Sequence, residues 1–260
     1  MESRLENPYF DLQAKVGITR HPGGLKTTRE LIELCRIDRD TFVLDVGCGI
    51  GMSACYIAKK SGSRVVGVDI SEKMIARSKE RAEREGVKGK VEFQVADAQN
   101  LPFEDDLFDI VISESATAFA EHKQSAINQY VRVIKPGGYV ALNETTWIKT
   151  QPPVELVEYL YHTVGGFKPE TVDGWRELLE RSGLNDIQVK TYKLAPLSQF
   201  VNEIRMAGFT DSFKAWGRLF ALFFKSPIYR KAIIEMAKQA RRIPRNFSEY
   251  FGYGIYVGRK

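Results

Sequence analysis

One glycine-rich run constrains this chain of 260 residues more than any other feature. Gly47, Gly49 and Gly51 stand between a short apolar run, residues 43–46, and a segment of helical character, residues 52–60. Residues without a side chain let the backbone turn tightly and approach a bound molecule. A helix that starts there points unpaired N–H groups at whatever lies in front of it. The run therefore predicts a strand–loop–helix unit that binds a ligand through its backbone.

Beyond this loop, the first half of the chain alternates short apolar runs with amphipathic segments. The predicted strands are residues 64–68, 91–95, 108–113 and 139–143, and the predicted helices are residues 72–85 and 122–134. Alternation of strands with helices is typical of an α/β domain whose mostly parallel sheet is covered on both faces. The length of the chain suits one such domain with elaborations.

The second half of the chain is less regular. Residues 154–161 and 172–182 are predicted as helices, and residues 187–194 and 250–257 as the last two of seven strands. About fifty residues of helical pattern separate those two strands, which is too long for a plain loop. We therefore divide the chain into an N-terminal helical cap (1–40), a core (41–195), a helical lid inserted before the last strand (196–248) and that last core strand (249–260).

Acidic residues stand at or just beyond the ends of four predicted strands: Asp45, Asp69, Asp97 and Glu114. Because ligands bind beyond the carboxyl ends of the strands in such sheets, we expect these side chains to form one site. Taken singly, each acid is typical of a helix cap or a strand-end turn. Their joint placement favours a ligand-binding site instead. Asp109 is predicted to support the edge of the sheet rather than to touch a ligand.

The spacing of the glycines narrows the class of ligand. A dinucleotide fingerprint reads G-x-G-x-x-G and a phosphate loop ends in Gly-Lys-Ser/Thr, whereas residues 45–51 read D-V-G-C-G-I-G. This run resembles motif I of the class I S-adenosylmethionine-dependent methyltransferases. Four further segments resemble later motifs of that family, in the same order: residues 66–71, 96–103, 108–111 and 134–138. The chain thus resembles the methyltransferase type 11 group, which includes ubiquinone and menaquinone methyltransferases.

The resemblance implies a Rossmann-like α/β fold and S-adenosylmethionine as the cofactor. Asp69 would accept hydrogen bonds from the ribose hydroxyls, since a carboxylate has lone pairs for both. Asp97 would accept a hydrogen bond from the adenine amino group, and the Ala98 N–H would meet the adenine ring. The remaining cofactor-binding residues that the family motifs imply are Asp45, Gly47, Cys48, Gly49, Gly51, Ile70, Met74 and Glu114.

A second resemblance precedes motif I. Residues 23–31 read G-G-L-K-T-T-R-E-L, which is similar to the Gly-Gly-x-x-(Ala/Thr)-Thr start of phosphoethanolamine N-methyltransferases. In that family the stretch folds over the methionine part of the cofactor, which implies a cofactor role for Gly23 and Gly24. The chain departs from that family at Phe119, which stands where the family has a histidine after strand four.

Methyl transfer from a sulfonium is a direct displacement, in which positioning and exclusion of water supply most of the rate. An amine acceptor needs no catalytic base, whereas a hydroxyl or carbon acceptor can need one. The catalytic candidates are His21, before the first core helix; His122, at the start of the helix after strand four; and Glu114, which would face the methyl donor. No metal site is expected, because the three cysteines are irregularly spaced and are predicted to be small buried hydrophobes.

Basic charge is concentrated late in the chain. Residues 196–260 carry 12 lysines and arginines against 4 acids, while residues 1–195 carry 26 against 29. Within this part, residues 213–245 combine cations with phenylalanines and Trp216. Four interpretations stay open: a lid helix packed on the core, an apolar acceptor pocket, a peripheral contact with an anionic membrane, and a homodimer interface. A nucleic-acid partner is not expected, since no module signature accompanies the charge.

These observations predict an S-adenosylmethionine-dependent methyltransferase that acts on a small-molecule acceptor. The acceptor is either lipophilic or aromatic, like a quinone or a lipid, or an amine. The alternative is a binding module that holds S-adenosylmethionine or S-adenosylhomocysteine without transferring a methyl group. No apolar run is long enough to span a bilayer and no signal pattern opens the chain, so we expect a cytoplasmic protein that touches membranes at most peripherally.

Overall fold

The computed structural model describes residues 8–17, 21–163, 167–194, 209–244 and 246–260. In chain order, its helices are α1 Pro8–Val16, α2 Leu25–Leu34, α3 Met52–Ser61, α4 Glu72–Glu85, α5 Lys123–Val133, α6 Val154–Thr163, α7 Val172–Arg181, α8 Phe209–Lys225, α9 Pro227–Arg241 and α10 Phe247–Tyr250. Its strands are β1 Phe42–Val46, β2 Arg64–Asp69, β3 Val91–Val95, β4 Phe108–Glu114, β5 Ile134–Trp147, β6 Glu170–Thr171, β7 Asn185–Lys193 and β8 Phe251–Arg259. A short 3-10 helix, Thr117–Phe119, follows β4.

A seven-stranded sheet in the order β3-β2-β1-β4-β5-β8-β7 forms the centre of the fold, and the two-residue β6 pairs with the end of β5. Strands β1 to β5 run parallel, whereas β8 runs antiparallel to both β5 and β7. The strand order switches between β1 and β4, where ligands bind in sheets of this kind. The predicted fold class, a mostly parallel seven-stranded α/β sheet, is confirmed, and β6 is an addition that the sequence analysis did not predict.

The central strands are buried on both faces, which explains their apolar sequences. β1 reads F-V-L-D-V and β4 reads F-D-I-V-I-S-E, and nearly all of their residues are buried. The helix α4 begins where predicted, at Ser71, whose hydroxyl accepts a hydrogen bond from the Met74 N–H at 3.4 Å. It also ends where predicted, at Gly86. Local sequence signals therefore determine where α4 begins and ends.

All three cysteines are buried free thiols, as predicted. Cys35 and Cys55 pack in the apolar core on one side of the sheet. Burial raises the pKa of each of these two thiols to about 12. They stay protonated at neutral pH and act as small apolar side chains.

β5 is longer than predicted and begins at Ile134. Residues 135–138, which separate the predicted helix from the predicted fifth strand, form a bulge within β5, where these four residues oppose the single residue Asp109 of β4. One carboxylate oxygen of Asp109 accepts a hydrogen bond from the Phe42 N–H at 2.8 Å, and the other accepts one from the Lys135 ammonium at 2.7 Å. These two hydrogen bonds agree with the supporting role predicted for Asp109.

Three helices outside the central layers pack on one another. Leu12 of α1 belongs to one apolar cluster with Ala215 of α8 and Tyr229 of α9. The Asp11 carboxylate accepts hydrogen bonds from the Tyr229 hydroxyl and from the Lys73 ammonium of α4. This carboxylate therefore connects the late helices, through α1, to the core.

The division into cap, core, lid and last strand stays a prediction. The beginning of the predicted lid, residues 196–208, lies outside the described residues. The helices α8, α9 and α10 occupy the rest of that segment, and β8 follows them. Within the part of the chain that the structure describes, no helix has the length and apolar character that crossing a membrane requires.

A substitution of Trp175 tests how α7 packs on the core. The side chain is fully buried, and its indole N–H donates a hydrogen bond to the Thr145 carbonyl at 3.2 Å. We expect Trp175→Ala to lower the free energy of unfolding by about 3–5 kcal/mol, because it removes a large side chain from a packed core. Trp216→Ala is the matched control: Trp216 is 53% exposed, and its loss should cost at most about 0.5 kcal/mol. Urea denaturation measures both, and equal costs would contradict this packing.

Candidate functional site

The glycine loop lies at the carboxyl end of β1, beside the switch in strand order. Gly47, Gly49 and Gly51 all have left-handed φ angles, of 75°, 54° and 73°. A Cβ atom on Gly47 would stand 2.1 Å from the Cβ atom of Ala116, so that position has no room for a side chain. The Gly47 N–H donates a hydrogen bond to the Val68 carbonyl at 2.8 Å, which ties the loop to β2. Glycine adopts this backbone without strain, and other residues do not.

Asp69, at the end of β2, holds the loop from the other side. One carboxylate oxygen accepts a hydrogen bond from the Gly49 N–H at 2.9 Å, and the other accepts one from the Ser71 N–H at 2.9 Å. Burial raises the pKa of Asp69, and these two donors oppose the rise. Each oxygen keeps a further lone pair, so the carboxylate can accept two more hydrogen bonds from a ligand. The adjacent Ile70 is 39% exposed and offers an apolar surface beside it.

Asp45 lies within β1, two residues before the loop, and is 2% exposed. Its Oδ2 atom has no hydrogen-bond partner among the described residues. Burial, together with the nearby Glu114 carboxylate, raises the pKa of Asp45 well above its usual range. A buried acceptor without a donor is costly, and a cationic group of a ligand would satisfy it and bring this pKa down. Asp45 lines the same cleft as the glycine loop.

Glu114, at the end of β4, is buried and surrounded by donors. Its Oε1 atom accepts hydrogen bonds from the Thr28 hydroxyl at 2.9 Å and the Ser53 hydroxyl at 2.8 Å. Its Oε2 atom accepts one from the Asn143 amide at 3.1 Å, and the His21 Nε2 atom lies 3.4 Å away. The carboxylate therefore joins α2, α3, β5 and the segment before α2 at one point.

The segment before α2 closes one side of the cleft. His21 is 5% exposed and lines the cleft. The Asn143 amide also donates a hydrogen bond to the Pro22 carbonyl at 3.0 Å, which attaches the segment to β5. Gly23 and Gly24 follow with left-handed φ angles of 75° and 58°. The two glycines thus turn the chain from the cleft wall into α2.

Most of the residues around the cleft were predicted from the sequence. The cleft is lined by His21, Asp45, Gly47, Cys48, Gly49, Met52, Ser53 and Glu114. Met52 and Ser53 are the two that the sequence analysis did not single out. Their position in the sequence could have indicated them, because they are the first two residues of α3, directly after the loop. The first turn of such a helix faces a ligand. Thr28 and Asn143, which hold Glu114, were also missed.

The other predicted residues lie around this cleft or away from it. Met74 of α4 is buried in a small apolar cluster with residues of the loop and of α3. Asp97 and Ala98 are half-buried beyond β3, where Asp97 accepts a hydrogen bond from the Gln99 N–H at 2.9 Å. His122 is exposed at the start of α5, and its backbone N–H donates to the Gln99 side chain at 2.9 Å. His122 is not among the residues that line the described cleft.

A second buried carboxyl group supports the far side of the loop. Glu144 of β5 is fully buried, and its Oε1 atom accepts hydrogen bonds from the Ala116 and Thr117 N–H groups at 3.1 and 2.7 Å. It thereby holds Ala116 against Gly47. Burial raises the pKa of Glu144 to about 8, although the N–H donors lower it. Glu144 was not predicted as a site residue, because the predicted fifth strand ended one position before it.

Comparison with known proteins identifies the class of site. A family model described as a methyltransferase domain matches residues 44–142. Methyltransferase GfsG of Streptomyces halstedii is 28% identical over 211 residues, which cover 76% of each chain. Phosphoethanolamine N-methyltransferase 1 of Arabidopsis thaliana is 33% identical over 165 residues, which cover 64% of this chain and 33% of that one. The chain therefore spans about a third of the length of this plant relative.

Solved structures agree with the fold. A methyltransferase from Thiobacillus denitrificans, dependent on S-adenosylmethionine and solved with S-adenosylhomocysteine, matches with a TM-score of 0.71 and 18% identity. The match covers 96% of this chain and 97% of that one. Fold, motifs and relatives together show that the chain belongs to the class I S-adenosylmethionine-dependent methyltransferases. The resemblance inferred from the glycine loop is confirmed.

The residues present fit the cofactor of this family. S-adenosylmethionine carries an ammonium group and two neighbouring ribose hydroxyls. Asp45 offers a buried acceptor atom without a partner among the described residues, and Asp69 offers an open lone pair on each oxygen. The chemistry of these two acids therefore suits the two polar ends of the cofactor.

Asp69 provides a test of this fit. We expect Asp69→Ala to weaken the binding of S-adenosylmethionine by about 1.5–3 kcal/mol, or about ten- to a hundredfold in Kd, because the ribose hydroxyls lose a charged acceptor. Glu92→Ala is the matched control, since Glu92 is an exposed carboxylate on the neighbouring β3. Isothermal titration calorimetry measures both affinities. Wild-type affinity in Asp69→Ala would refute the assignment.

Glu144 gives the stability of the protein a specific pH dependence. Its pKa of about 8 lies above the usual 4.5, so between these values the folded state binds a proton that the unfolded state has lost. We expect this group to lower the free energy of unfolding as pH rises from about 5 to about 8, by at most about 1.4 kcal/mol per pH unit. Glu144→Gln keeps an acceptor for both N–H groups and should remove this decline. Urea titrations across the range measure the difference, and identical pH profiles would contradict it.

Proposed function

We propose that this methyltransferase acts on a small molecule that has an apolar or aromatic body and a polar reacting atom. The proposal rests on the kinds of side chain that lie at the end of the sheet beyond Glu114. Polar atoms without partners among the described residues stand there at the ends of β4 and β5, together with aromatic rings. Few polar groups within a largely apolar wall are typical of sites for small molecules.

When bound, the cofactor supplies an electrophilic methyl group on a sulfonium. Asp45 would pair through its Oδ2 atom with the ammonium of the methionine part, and Asp69 would accept the ribose hydroxyls. Gly23 and Gly24 would cover the methionine part from the side of α2. The adenine would be bound by Ile70, Met74, Asp97 and Ala98. The orphaned oxygen of Asp45 supports this orientation, since it leaves an acceptor for the ammonium.

Three buried polar atoms, just after β4 and within β5, have no hydrogen-bond partner among the described residues: Ser115 Oγ, Asn143 Oδ1 and Thr145 Oγ1. Ser115 also has a left-handed φ angle of 60°, which costs a serine about 1–2 kcal/mol. Backbone strain of this kind is concentrated at functional turns. These atoms support a role in hydrogen-bonding the polar end of an acceptor.

Aromatic rings surround the same end of the sheet. Trp147 and Phe247 both pack on Phe251, with ring centroids 5.4 and 4.7 Å away. Phe119 packs on Phe167 at 4.7 Å. Aromatic residues at this end of the sheet favour an apolar or aromatic body over a strongly polar one. Phe119 also replaces the histidine of phosphoethanolamine N-methyltransferases with an apolar ring.

In-line displacement requires mainly that the protein position the acceptor and exclude water. Glu114 accepts hydrogen bonds from three different side chains, so it would orient its neighbours rather than exchange a proton. His21 lines the cleft with its Nε2 atom 3.2 Å from the Thr28 hydroxyl. A ring held there would take the proton from a hydroxyl or carbon acceptor, whereas an amine acceptor would need no such base. The exposed position of His122 does not support a comparable role.

An amine is the second candidate acceptor. It is favoured by the 33% identity with the plant phosphoethanolamine N-methyltransferase, over 64% of this chain. Proposals for an apolar acceptor and for an amine predict different products, so one screen separates them.

The screen uses the purified protein, S-adenosylmethionine with an isotopically labelled methyl group, and three acceptor pools. The pools are phenols and hydroquinones, lipids that carry hydroxyl groups, and small amines. We expect labelled product, identified by its mass, in the first two pools. Gly49→Val is the inactive control, because a branched side chain at a φ angle of 54° distorts the loop.

Product in the amine pool alone would contradict an apolar acceptor. Calorimetric binding of S-adenosylmethionine without product in any pool would favour the binding module over a transferring enzyme. The two measurements therefore separate failure of the acceptor assignment from failure of methyl transfer.

A further inference from the structure

The helix α8 presents a surface that the methyltransferase site does not use. Ala215, Leu219 and Leu222 face α1 and α9 and belong to the apolar cluster between these helices. A second set of apolar residues on α8 is exposed by 77%, 53%, 63% and 65%: Phe213, Trp216, Phe220 and Phe224. We call these four residues the aromatic stripe.

The spacing of the aromatic stripe places it on one face of the helix. Its members follow one another at intervals of three, four and four residues, which return to the same side of a helix of 3.6 residues per turn. This side is opposite the one that packs on α1. Ile228, at the start of α9, is a further exposed apolar residue, at 72%. Single exposed apolar residues are ordinary, but a continuous row of aromatic residues marks an interaction site.

Positive charge accompanies the aromatic stripe. Residues 209–244 contain eight lysines and arginines and two acidic residues. Lys214, Lys225 and Lys231 are exposed, and none of them forms an ion pair with another described residue. Helical spacing puts Lys214 and Lys225 along one border of the stripe. The surface therefore combines an apolar row with cations that lack anionic partners within the described chain.

We propose that α8 docks on an anionic lipid surface through the aromatic stripe, with the helix axis in the plane of the membrane. The Phe and Trp rings enter the boundary between headgroups and acyl chains, and Lys214 and Lys225 meet lipid phosphates. The helix has 17 residues, and cations interrupt its apolar sequence, so it lies on the membrane rather than across it.

Charge favours an anionic lipid surface over a second copy of the chain as the partner of the stripe. Two copies that met through their stripes would bring Lys214 and Lys225 of one copy toward the same cations of the other, which opposes association. An anionic lipid surface supplies the opposite charge as well as the apolar phase. The stripe also points away from α1 and from the apolar cluster that joins α1 to α8, so it is not an inner wall of the cleft.

Vesicle co-sedimentation tests the proposal with full-length protein. We expect stronger binding to phosphatidylcholine vesicles that contain about one third phosphatidylglycerol than to phosphatidylcholine alone. The double variant Trp216→Ser/Phe220→Ser should lose at least about tenfold in affinity for the anionic vesicles. Val154→Ser is the matched control, because Val154 is 67% exposed on α6, outside the stripe, and should bind as the wild type does. Thermal midpoints and circular dichroism verify that each variant is folded.

Fluorescence of Trp216 gives a second readout. Of the three tryptophans, Trp147 and Trp175 are 5% and 0% exposed, so Trp216 at 53% is the one that a membrane can reach. We expect a blue shift of the emission on anionic vesicles and quenching by brominated lipid. Trp216→Phe should keep binding in sedimentation but lose both signals.

Charge variants complete the experiment. Lys214→Ala/Lys225→Ala should weaken binding to anionic vesicles by about fivefold for each cation removed, and the difference should shrink at high salt. The proposal is overturned by any of three results: no binding to anionic vesicles at low salt, unchanged binding in Trp216→Ser/Phe220→Ser, or a dimer in analytical ultracentrifugation that this variant abolishes.

Discussion

The buried carboxylate of Glu114 is the interaction on which the rest of the site depends. A carboxyl group buried without donors is strongly unfavourable, so the elements that supply donors must stay in place around it. Thr28 of α2, Ser53 of α3 and Asn143 of β5 supply them. Because Asn143 also binds the Pro22 carbonyl, the same contacts that satisfy Glu114 fix the segment before α2 beside the cleft.

Around this point the polar groups fall into two sets. One set is satisfied within the chain: Asp69 binds the backbone of the glycine loop, and the Oε1 atom of Glu144 binds the backbone of Ala116. The other set, which includes Oδ2 of Asp45 and Oγ of Ser115, has no partner among the described residues. The first set holds the loop in its conformation without a ligand. The second set costs stability in the free protein, and that cost is relieved when a ligand supplies the missing donors or acceptors.

Much of this architecture could be predicted because local patterns encode it. Apolar runs next to acidic residues marked the ends of β1, β2 and β4, and glycine spacing marked the loop. The partners of Glu114 could not be predicted in the same way. Thr28 and Ser53 lie 86 and 61 positions away from it in the chain, and a single hydroxyl carries no local sign of its distant partner. The donors to Glu144 could not be predicted for a similar reason, since they come from the turn after β4.

The sequence by itself determined the class of fold, the left-handed glycine loop and the family, because periodicity, turn residues and motif order are properties of neighbouring positions. Only the tertiary structure decided which carboxylates are satisfied and which remain open, because burial and donors come from elements far apart in the chain. The tertiary structure also decided which side of α8 is covered, because this helix is apolar on two sides. Packing of Ala215 and Leu219 against α1 covers one side, and for that reason Trp216 and Phe220 are left exposed on the other.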